Sequence, residues 1–382
     1  MVLTRRARKC ILRWLPNELV SEIIAFSSFD TQLALCRVCK LFNQLAVISL
    51  YRAVDLGSYS KFAQFAESLS SNTRNAIHVV SLRLYSTSLE SEEDVAELPD
   101  DYSIFNSLSR LETLCLFVSL GETICVGLFR ECTFPRLTEF RYIAPQSLVT
   151  AGMLTHEILL SFIRRHSEIT RLVAMDGSPA FPASVAREEP ASQLQKLRQF
   201  VGPAYLLEFL PLGINQIFLF SGDEEQTDTL QQLSRLTAQG TDLAYSNIFI
   251  LRGTIARTLS MIATHLPRIV SIQLRWGKNP DRWLDPENIQ AISQSLENFP
   301  ALRYLTFHYI AFLDVLKDGN RLPVDEYNAD RQVVERWGKS CPSLRECCFH
   351  GNGWRRDEGA SEWISCVEDE MKERPDIEFI VR

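Results

Sequence analysis

Ten cysteines and six histidines are the residues of this chain best suited to metal binding or nucleophilic chemistry. Cys36-x-x-Cys39 has the spacing of half a zinc site, but no second pair of cysteines or histidines follows at a suitable distance. Leu35, Val38 and Leu41 alternate with the two cysteines in a helical pattern, which favours a structural role. We therefore predict no metal site and no cofactor.

A thiol nucleophile is the other chemistry that the cysteines could supply. Cys347 and Cys348 are adjacent, so on a strand they point to opposite faces, and Cys348 then shares a face with His350. No third residue that would orient His350 can be identified. The sequence also has no glycine-rich phosphate loop, GxSxG motif or HExxH motif. We therefore expect a protein without catalytic activity of its own.

The composition excludes several classes of partner. The formal net charge of −7 argues against nucleic-acid binding, which draws most of its affinity from Lys and Arg. The longest apolar runs fall far short of the roughly 20 residues that span a bilayer, so we expect no membrane insertion. The first 12 residues are basic and predict a flexible tail, and no secretory signal follows them. We expect a cytoplasmic or nuclear protein, or one found in both, with reduced cysteines.

Residues 13–56 have the apolar spacing of short amphipathic helices. Pro16 fits the first turn of one helix, and Asp30 or Thr31 can cap the next. We predict a three-helix unit whose core is so small that it depends on the following domain or on a partner. The apolar positions recur three and four residues apart: Leu15, Leu19, Ile23, Ile24, Leu33, Leu35, Val38, Leu41, Phe42, Leu45, Ile48 and Leu50.

A second pattern fills residues 57–382, where strand-like apolar phrases recur about every 30 residues between helix candidates. The phrases begin with Val79-x-x-Leu82-x-Leu84 and continue to Leu344-x-x-Cys347-x-Phe349, with a weaker last phrase at Ile377 and Phe379. The long gap before Ile269 has room for one more strand at residues 248–251, and the last helix candidate covers residues 361–372. Several helix candidates end at a proline that leads into the next strand: Pro267, Pro300, Pro342 and Pro375. The pattern predicts an α/β fold, an irregular solenoid of strand–helix repeats with a curved parallel sheet.

The first 55 residues resemble an F-box. The resemblance rests on the LPxEL opening at residues 15–19 and on the phrase Val38-Cys39-Lys40-Leu41-Phe42 at matching separation, although Phe42 replaces the tryptophan common there. The remaining residues resemble the leucine-rich repeats that often follow an F-box, without the asparagine that usually closes each turn. The layout is most similar to the large fungal F-box families.

The resemblance implies a substrate-recognition subunit of an SCF-type ubiquitin ligase. Such a subunit binds a Skp-type adaptor, and through it a cullin scaffold, while ubiquitin transfer occurs elsewhere in the complex. We expect Leu19 and Ile24 to be the residues most devoted to the core of the helical unit. The resemblance places the following residues at or just behind the adaptor surface: Leu15, Pro16, Leu19, Ile23, Leu33, Val38, Cys39, Lys40 and Phe42.

Substrate binding is expected on the sheet face away from the helices. Residues between the leucines of each phrase point to that face, and aromatic, Arg and His side chains there favour protein binding. Cys115 and Ile143 should lie on the same face. The candidate substrate-binding residues are Arg83, Tyr85, Phe117, Arg141, Phe218, Arg275, Tyr304, His308 and His350.

A protein-interaction scaffold is the alternative hypothesis. In that case the F-box-like segment only caps one end of the solenoid, because terminal repeats need a cover, and it recruits no adaptor. The two hypotheses differ in whether the apolar helical residues serve a partner or the fold.

Overall fold

The structure is a computed structural model. It divides into two compact units, Met1–Ile169 and Thr170–Arg382. The predicted tail, residues 1–12, lies outside the described residues. The structure describes residues 15–85, 102–117, 122–144, 156–176, 194–203, 206–207, 210–211, 214, 216–220, 226–237, 244–247, 255–276, 286–309, 324–349, 352–357, 360 and 362–366.

The N-terminal unit starts with three helices and continues with strands that alternate with helices. A 3₁₀ helix, Tyr102–Ser107, precedes its third strand. The other elements are α1 (Asn17–Ala25), α2 (Phe29–Leu35), α3 (Lys40–Arg52), β1 (Ala53–Leu56), α4 (Tyr59–Ser71), α5 (Thr73–Ala76), β2 (Ser81–Leu84), β3 (Thr113–Phe117), α6 (Glu122–Glu131), β4 (Glu139–Ala144) and α7 (His156–Arg165).

The C-terminal unit begins and ends with consecutive strands. Between them, strands and helices alternate. Its elements are β5 (Arg171–Asp176), β6 (Gln199–Pro203), β7 (Gln216–Phe220), α8 (Gln226–Thr237), β8 (Ala244–Asn247), α9 (Ile255–His265), β9 (Ser271–Trp276), α10 (Pro286–Leu296), β10 (Tyr304–Tyr309), α11 (Val324–Ser340), β11 (Glu346–Phe349), β12 (Asn352–Arg355) and β13 (Ile364–Cys366).

Strands are paired in chain order within each unit. Strands β1 to β4 are parallel neighbours in the N-terminal unit, and β5 to β11 are parallel neighbours in the C-terminal unit. Strands β12 and β13 then pair antiparallel. The predicted α/β class and parallel pairing are confirmed, whereas the antiparallel end was not predicted.

The core lies between the strands and their helices. Aligned positions of β2, β3 and β4 hold Leu82, Leu114 and Phe140, each fully buried. On the helical side, the Phe129 ring of α6 lies 5.7 Å from Phe140 and 4.8 Å from Phe162 of α7. Because side chains alternate along a strand, the residues between these apolar positions face away from the helices.

The same turn leads into most strands. A buried residue accepts a hydrogen bond at its carbonyl from the N–H of a second buried residue three positions later, as in Leu108 with Leu111 and Leu266 with Ile269. One carbonyl before a strand then accepts from two successive N–H groups of the next turn. Those carbonyls belong to Val80, Glu112, Thr170, Val270 and Arg303. This recurring bond pattern makes the L-x-x-L phrase a turn as well as a strand signal.

His166 occupies one of these apolar turn positions. Its Nε2 accepts a hydrogen bond from the Phe134 N–H at 2.8 Å, and its Nδ1 lies 2.6 Å from the Phe162 carbonyl. Burial is the main cause that lowers the pKa of His166 to about 4; the hydrogen bond to the Phe162 carbonyl opposes this shift, and nearby Arg165 contributes to it. The neutral imidazole therefore joins two successive strand–helix units.

Several predicted elements differ from the structure. The helix predicted over residues 361–372 is wrong at Ile364–Cys366, which form β13. Strand β8 lies at Ala244–Asn247, just before the predicted position at residues 248–251. The last predicted phrase, Ile377 and Phe379, lies outside the described residues. Among the helices of the described ranges, none has both the length and the apolar character that crossing a bilayer requires.

Candidate interaction surfaces

The three-helix unit, α1 to α3, has a small apolar core of its own. Val20 and Ile24 of α1 and Ala46 of α3 are its buried residues. The side chains that pack around these three are only partly buried: Leu15, Leu35, Cys36, Phe42 and Leu45. So few buried side chains give little hydrophobic stabilisation.

Polar contacts join the helices where apolar contacts are few. The buried Gln32 side chain donates from Nε2 to the carbonyls of Ile24, at 2.9 Å, and Ser27, at 3.1 Å. Asn43 Nδ2 donates to the Cys36 carbonyl at 3.0 Å. Ser28, and not Asp30 or Thr31 as predicted, is the N-cap of α2. The Gln32 bonds join α2 to the end of α1, and the Asn43 bond joins α3 to the residue that follows α2.

Large apolar side chains are exposed on the same unit. Leu19 and Ile23 of α1 and Phe26, which directly follows the helix, are spaced four and three residues apart, so they form a ridge on one side. Phe29 and Leu33 have the same spacing on α2. The exposed members within residues 19–48 are Leu19 (46%), Ile23 (58%), Phe26 (91%), Phe29 (65%), Leu33 (42%), Val38 (62%) and Ile48 (41%).

The predicted adaptor residues divide into two groups. Leu15 and Phe42 are half-buried against the core of the unit. The exposed group is Pro16, Leu19, Ile23, Leu33, Val38, Cys39 and Lys40. The expectation that Leu19 belongs to the core is wrong, because Val20 takes that place and turns Leu19 outward. Phe26 and Phe29 were missed, although their spacing from Ile23 and Leu33 could have identified them.

The second surface is the sheet face of the N-terminal unit that points away from the helices. One register row crosses β1 to β4 and holds Asp55, Arg83, Cys115 and Arg141. Arg141 Nε and Nη2 each lie 2.7 Å from Glu139 Oε1. Arg83 Nε lies 4.0 Å from Asp55 Oδ1, and both side chains are more than half exposed.

Cys115 lies at the middle of this row and is only 3% exposed. Burial raises the pKa of the Cys115 thiol to about 11. Arg141 and Arg83 oppose that rise, and their effect on the pKa exceeds that of Glu139 and Asp55. The thiol is therefore protonated at neutral pH.

Apolar side chains lie beside this row. Phe117 and Ile143, aligned on β3 and β4, are half-buried. Tyr85 follows β2 and is also half-buried, and its ring packs so close to Gly57 that a Cβ there would lie 3.2 Å from Tyr85 Cε2. The predicted residues Arg83, Tyr85, Phe117 and Arg141 thus lie on one face of the N-terminal unit.

The corresponding face of the C-terminal unit is buried. Val173, Val201 and Phe218 form one buried cluster there. The expectation that Phe218 faces solvent is wrong, because its side chain is only 2% exposed. The register row of Phe218 continues through Ser246 to Gln273 and Thr306, and the last two are buried too. This face is therefore closed over β5 to β7 and at these positions of β9 and β10.

The other candidates on the C-terminal unit are less informative. Tyr304 is half-buried and is aligned with Ser271 and Glu346. Arg275 and His308 are paired positions of β9 and β10, but their side chains lie outside the described residues, as does all of His350.

Catalytic or metal chemistry finds no support in the cysteines. Cys347 and Cys348 are both fully buried. Within the described ranges, no three His, Cys, Asp or Glu side chains are grouped so that they could hold a metal ion.

No protein-family model matches the sequence, and no curated protein matches it.

Proposed function

We propose that this protein is a substrate-recognition subunit of an SCF-type ubiquitin ligase. In this proposal residues 13–56 are an F-box that binds a Skp-type adaptor, and residues 57–382 form an irregular leucine-rich-repeat-like solenoid that binds a protein substrate. The observation that carries the proposal is the concentration of exposed apolar side chains on a helical unit with only three buried apolar residues.

Physical reasoning supports a partner at this surface. Exposed apolar side chains that form a helical ridge are typical of helix-in-groove binding, in which a few anchors carry most of the energy. Ile23 and Val38, 58% and 62% exposed, contribute little to the core of their own unit. Their burial by a second protein would therefore add stability that the chain alone does not have.

Calorimetric titration with a purified Skp-type adaptor tests the proposal. We expect sub-micromolar binding by the wild type. The double variant Ile23→Ala, Val38→Ala should lose at least about 25-fold in affinity, equivalent to roughly 2 kcal/mol. Because both side chains are exposed, its thermal unfolding should match that of the wild type.

A matched control uses apolar residues with similar exposure elsewhere on the chain. Ile77 is 46% exposed and Ile364 is 60% exposed. The double variant Ile77→Ala, Ile364→Ala should bind the adaptor as the wild type does. Absence of binding by the folded wild type would contradict the receptor function.

The scaffold hypothesis has an observation in its favour as well. Helix α3 contacts α5 and β1, and Tyr51 Oη lies 3.1 Å from Ser68 Oγ of α4. A helical unit that covers the first strand–helix repeat could serve as its cap. Leu15→Ala with Phe42→Ala should lower the unfolding temperature in either case, so adaptor binding is the measurement that separates the two functions.

A further inference from the structure

We propose that the sheet face of the N-terminal unit binds an acidic side chain of a substrate peptide between Arg83 and Arg141, above Cys115. The inference rests on the proposed function of the sheet as a substrate surface and adds the chemistry that it recognises. Side-chain carboxylate and phosphate groups share that chemistry.

The register gives the geometry of the site. Arg83 and Arg141 lie on β2 and β4, with Cys115 between them on β3. Two strand spacings separate the arginine backbones by roughly 10 Å. Arginine side chains are long enough to converge from that separation on one oxyanion. Cys115 adds neither charge nor bulk between them.

The two arginines differ in how many of their N–H donors are already hydrogen-bonded. Arg141 is held by two contacts with one Glu139 oxygen, which fixes its orientation. The separation of 4.0 Å between Arg83 and Asp55 is too long for a hydrogen bond. Among the described residues Arg83 donates no hydrogen bond, so its guanidinium can give two parallel bonds to an incoming carboxylate or phosphate.

The electrostatic balance at the centre of the row agrees with this geometry. Two carboxylates and two guanidinium groups surround the row, yet the arginines dominate at the Cys115 sulfur. Of these four charged groups, Arg83 is more than half exposed and is the one whose donors are open to an incoming anion. Phe117 and Ile143 lie beside the row on β3 and β4, which favours an apolar side chain near the acidic residue of the peptide.

A peptide library provides the test, with the full-length labelled protein as the probe. Each immobilised nonapeptide has Asp, Glu, phosphoserine, Asn, Gln, Ser or Lys at its centre and varied flanking residues. We expect retention on acidic centres to exceed that on the matched Asn, Gln or Ser centres by about tenfold. Preference for phosphoserine over Asp and Glu would identify phosphate as the source of the anion, and the reverse would identify carboxylate.

Variants show whether the two arginines are responsible. Arg83→Gln with Arg141→Gln should abolish the acidic preference, and Arg83→Glu with Arg141→Glu should shift it to Lys. Arg355→Gln is the matched control, since Arg355 is similarly exposed and lies 3.7 Å from Asp357 in the C-terminal unit. An equal response to acidic and neutral centres, or a preference that survives both double variants, would overturn the inference.

The library is screened without adaptor, so its result is independent of the calorimetric test. A protein that binds the adaptor but shows no acidic preference retains the receptor function and loses this inference. A protein that selects acidic peptides but binds no adaptor loses the receptor function alone.

Discussion

The three-helix unit and the strands and helices that follow it in the chain, called the body below, bury their apolar residues to very different extents. In the body, Phe129 and Phe140 are fully buried and contact other aromatic rings. In the helical unit, Phe26 is 91% exposed and Phe29 is 65% exposed. The body completes its core within the chain, whereas the helical unit leaves large apolar side chains exposed. Truncating matched side chains in the two regions measures this difference directly.

The largest effect is expected for phenylalanine truncation. Phe129→Ala removes a fully buried ring and should lower the free energy of unfolding by about 3–5 kcal/mol. Phe26→Ala removes an exposed ring and should change it by less than about 0.5 kcal/mol. Urea unfolding followed by circular dichroism measures both. Equal losses for the two variants would mean that the helical unit is packed as tightly as the body.

The next effect is a pH-dependent contribution to the free energy of unfolding, and it comes from a histidine of the body. His166 has a pKa of about 4 when folded, compared with 6.5 ordinarily. Its stabilisation is complete above pH 6.5 and is lost as the pH falls to about 4, because only the unfolded chain takes up the proton in that window. The loss should reach about 3 kcal/mol.

Urea unfolding at intervals between pH 7 and pH 4 measures this contribution. The variant His166→Gln has no titrating ring, so its stability should vary less steeply over the same window, and the difference in slope is the contribution of His166. Parallel curves for the two proteins would contradict it.

A smaller effect tests packing in the C-terminal unit. A Cβ on Gly338 of α11 would lie 2.7 Å from Trp363 Nε1, and the Trp363 side chain is buried. Gly338→Ala should therefore cost about 1–3 kcal/mol despite the higher helix propensity of alanine. Thermal unfolding measures it. A stabilised variant would mean that Trp363 has room to move.

The smallest effect concerns the polar contacts of the helical unit. Gln32→Met keeps the length of the side chain and removes both of its hydrogen bonds, which should cost about 1–2 kcal/mol. Gln44→Met changes an exposed residue of α3 and serves as the control. If both variants unfold at the wild-type temperature, the two bonds of Gln32 do not stabilise the unit.

Sequence patterns predicted the body better than the surfaces. The recurring apolar phrases identified most strands because buried positions of parallel strands must be apolar. Helices α4 and α6 were missed. In α6, residues 124–129 form a short apolar run, and periodicity alone does not assign such a run to a helix or a strand. His166 was not recognised as a turn residue, because only the fold reveals that its polar ring replaces an apolar side chain.

The surfaces were harder to predict for a physical reason. Helical spacing identifies which residues share a side of α1, yet Leu19 and Val20 are adjacent and only packing decides which one is buried. Strand alternation correctly predicted that the Arg83 and Arg141 side chains point away from the helices. The same rule failed to give the exposure of Phe218, because alternation sets the direction of a side chain and not what covers it.

Helix α3 ends at Arg52 and strand β1 begins at Ala53, with no residue between them. A protein bound to the exposed apolar residues of the three helices, as proposed above, would therefore have a fixed orientation relative to the first strand. One alanine inserted after Arg52 would rotate the three-helix unit by about 100° relative to β1 and shift it by about 1.5 Å along the axis of α3. Such an insertion would leave every anchor side chain in place and redirect whatever is bound to them.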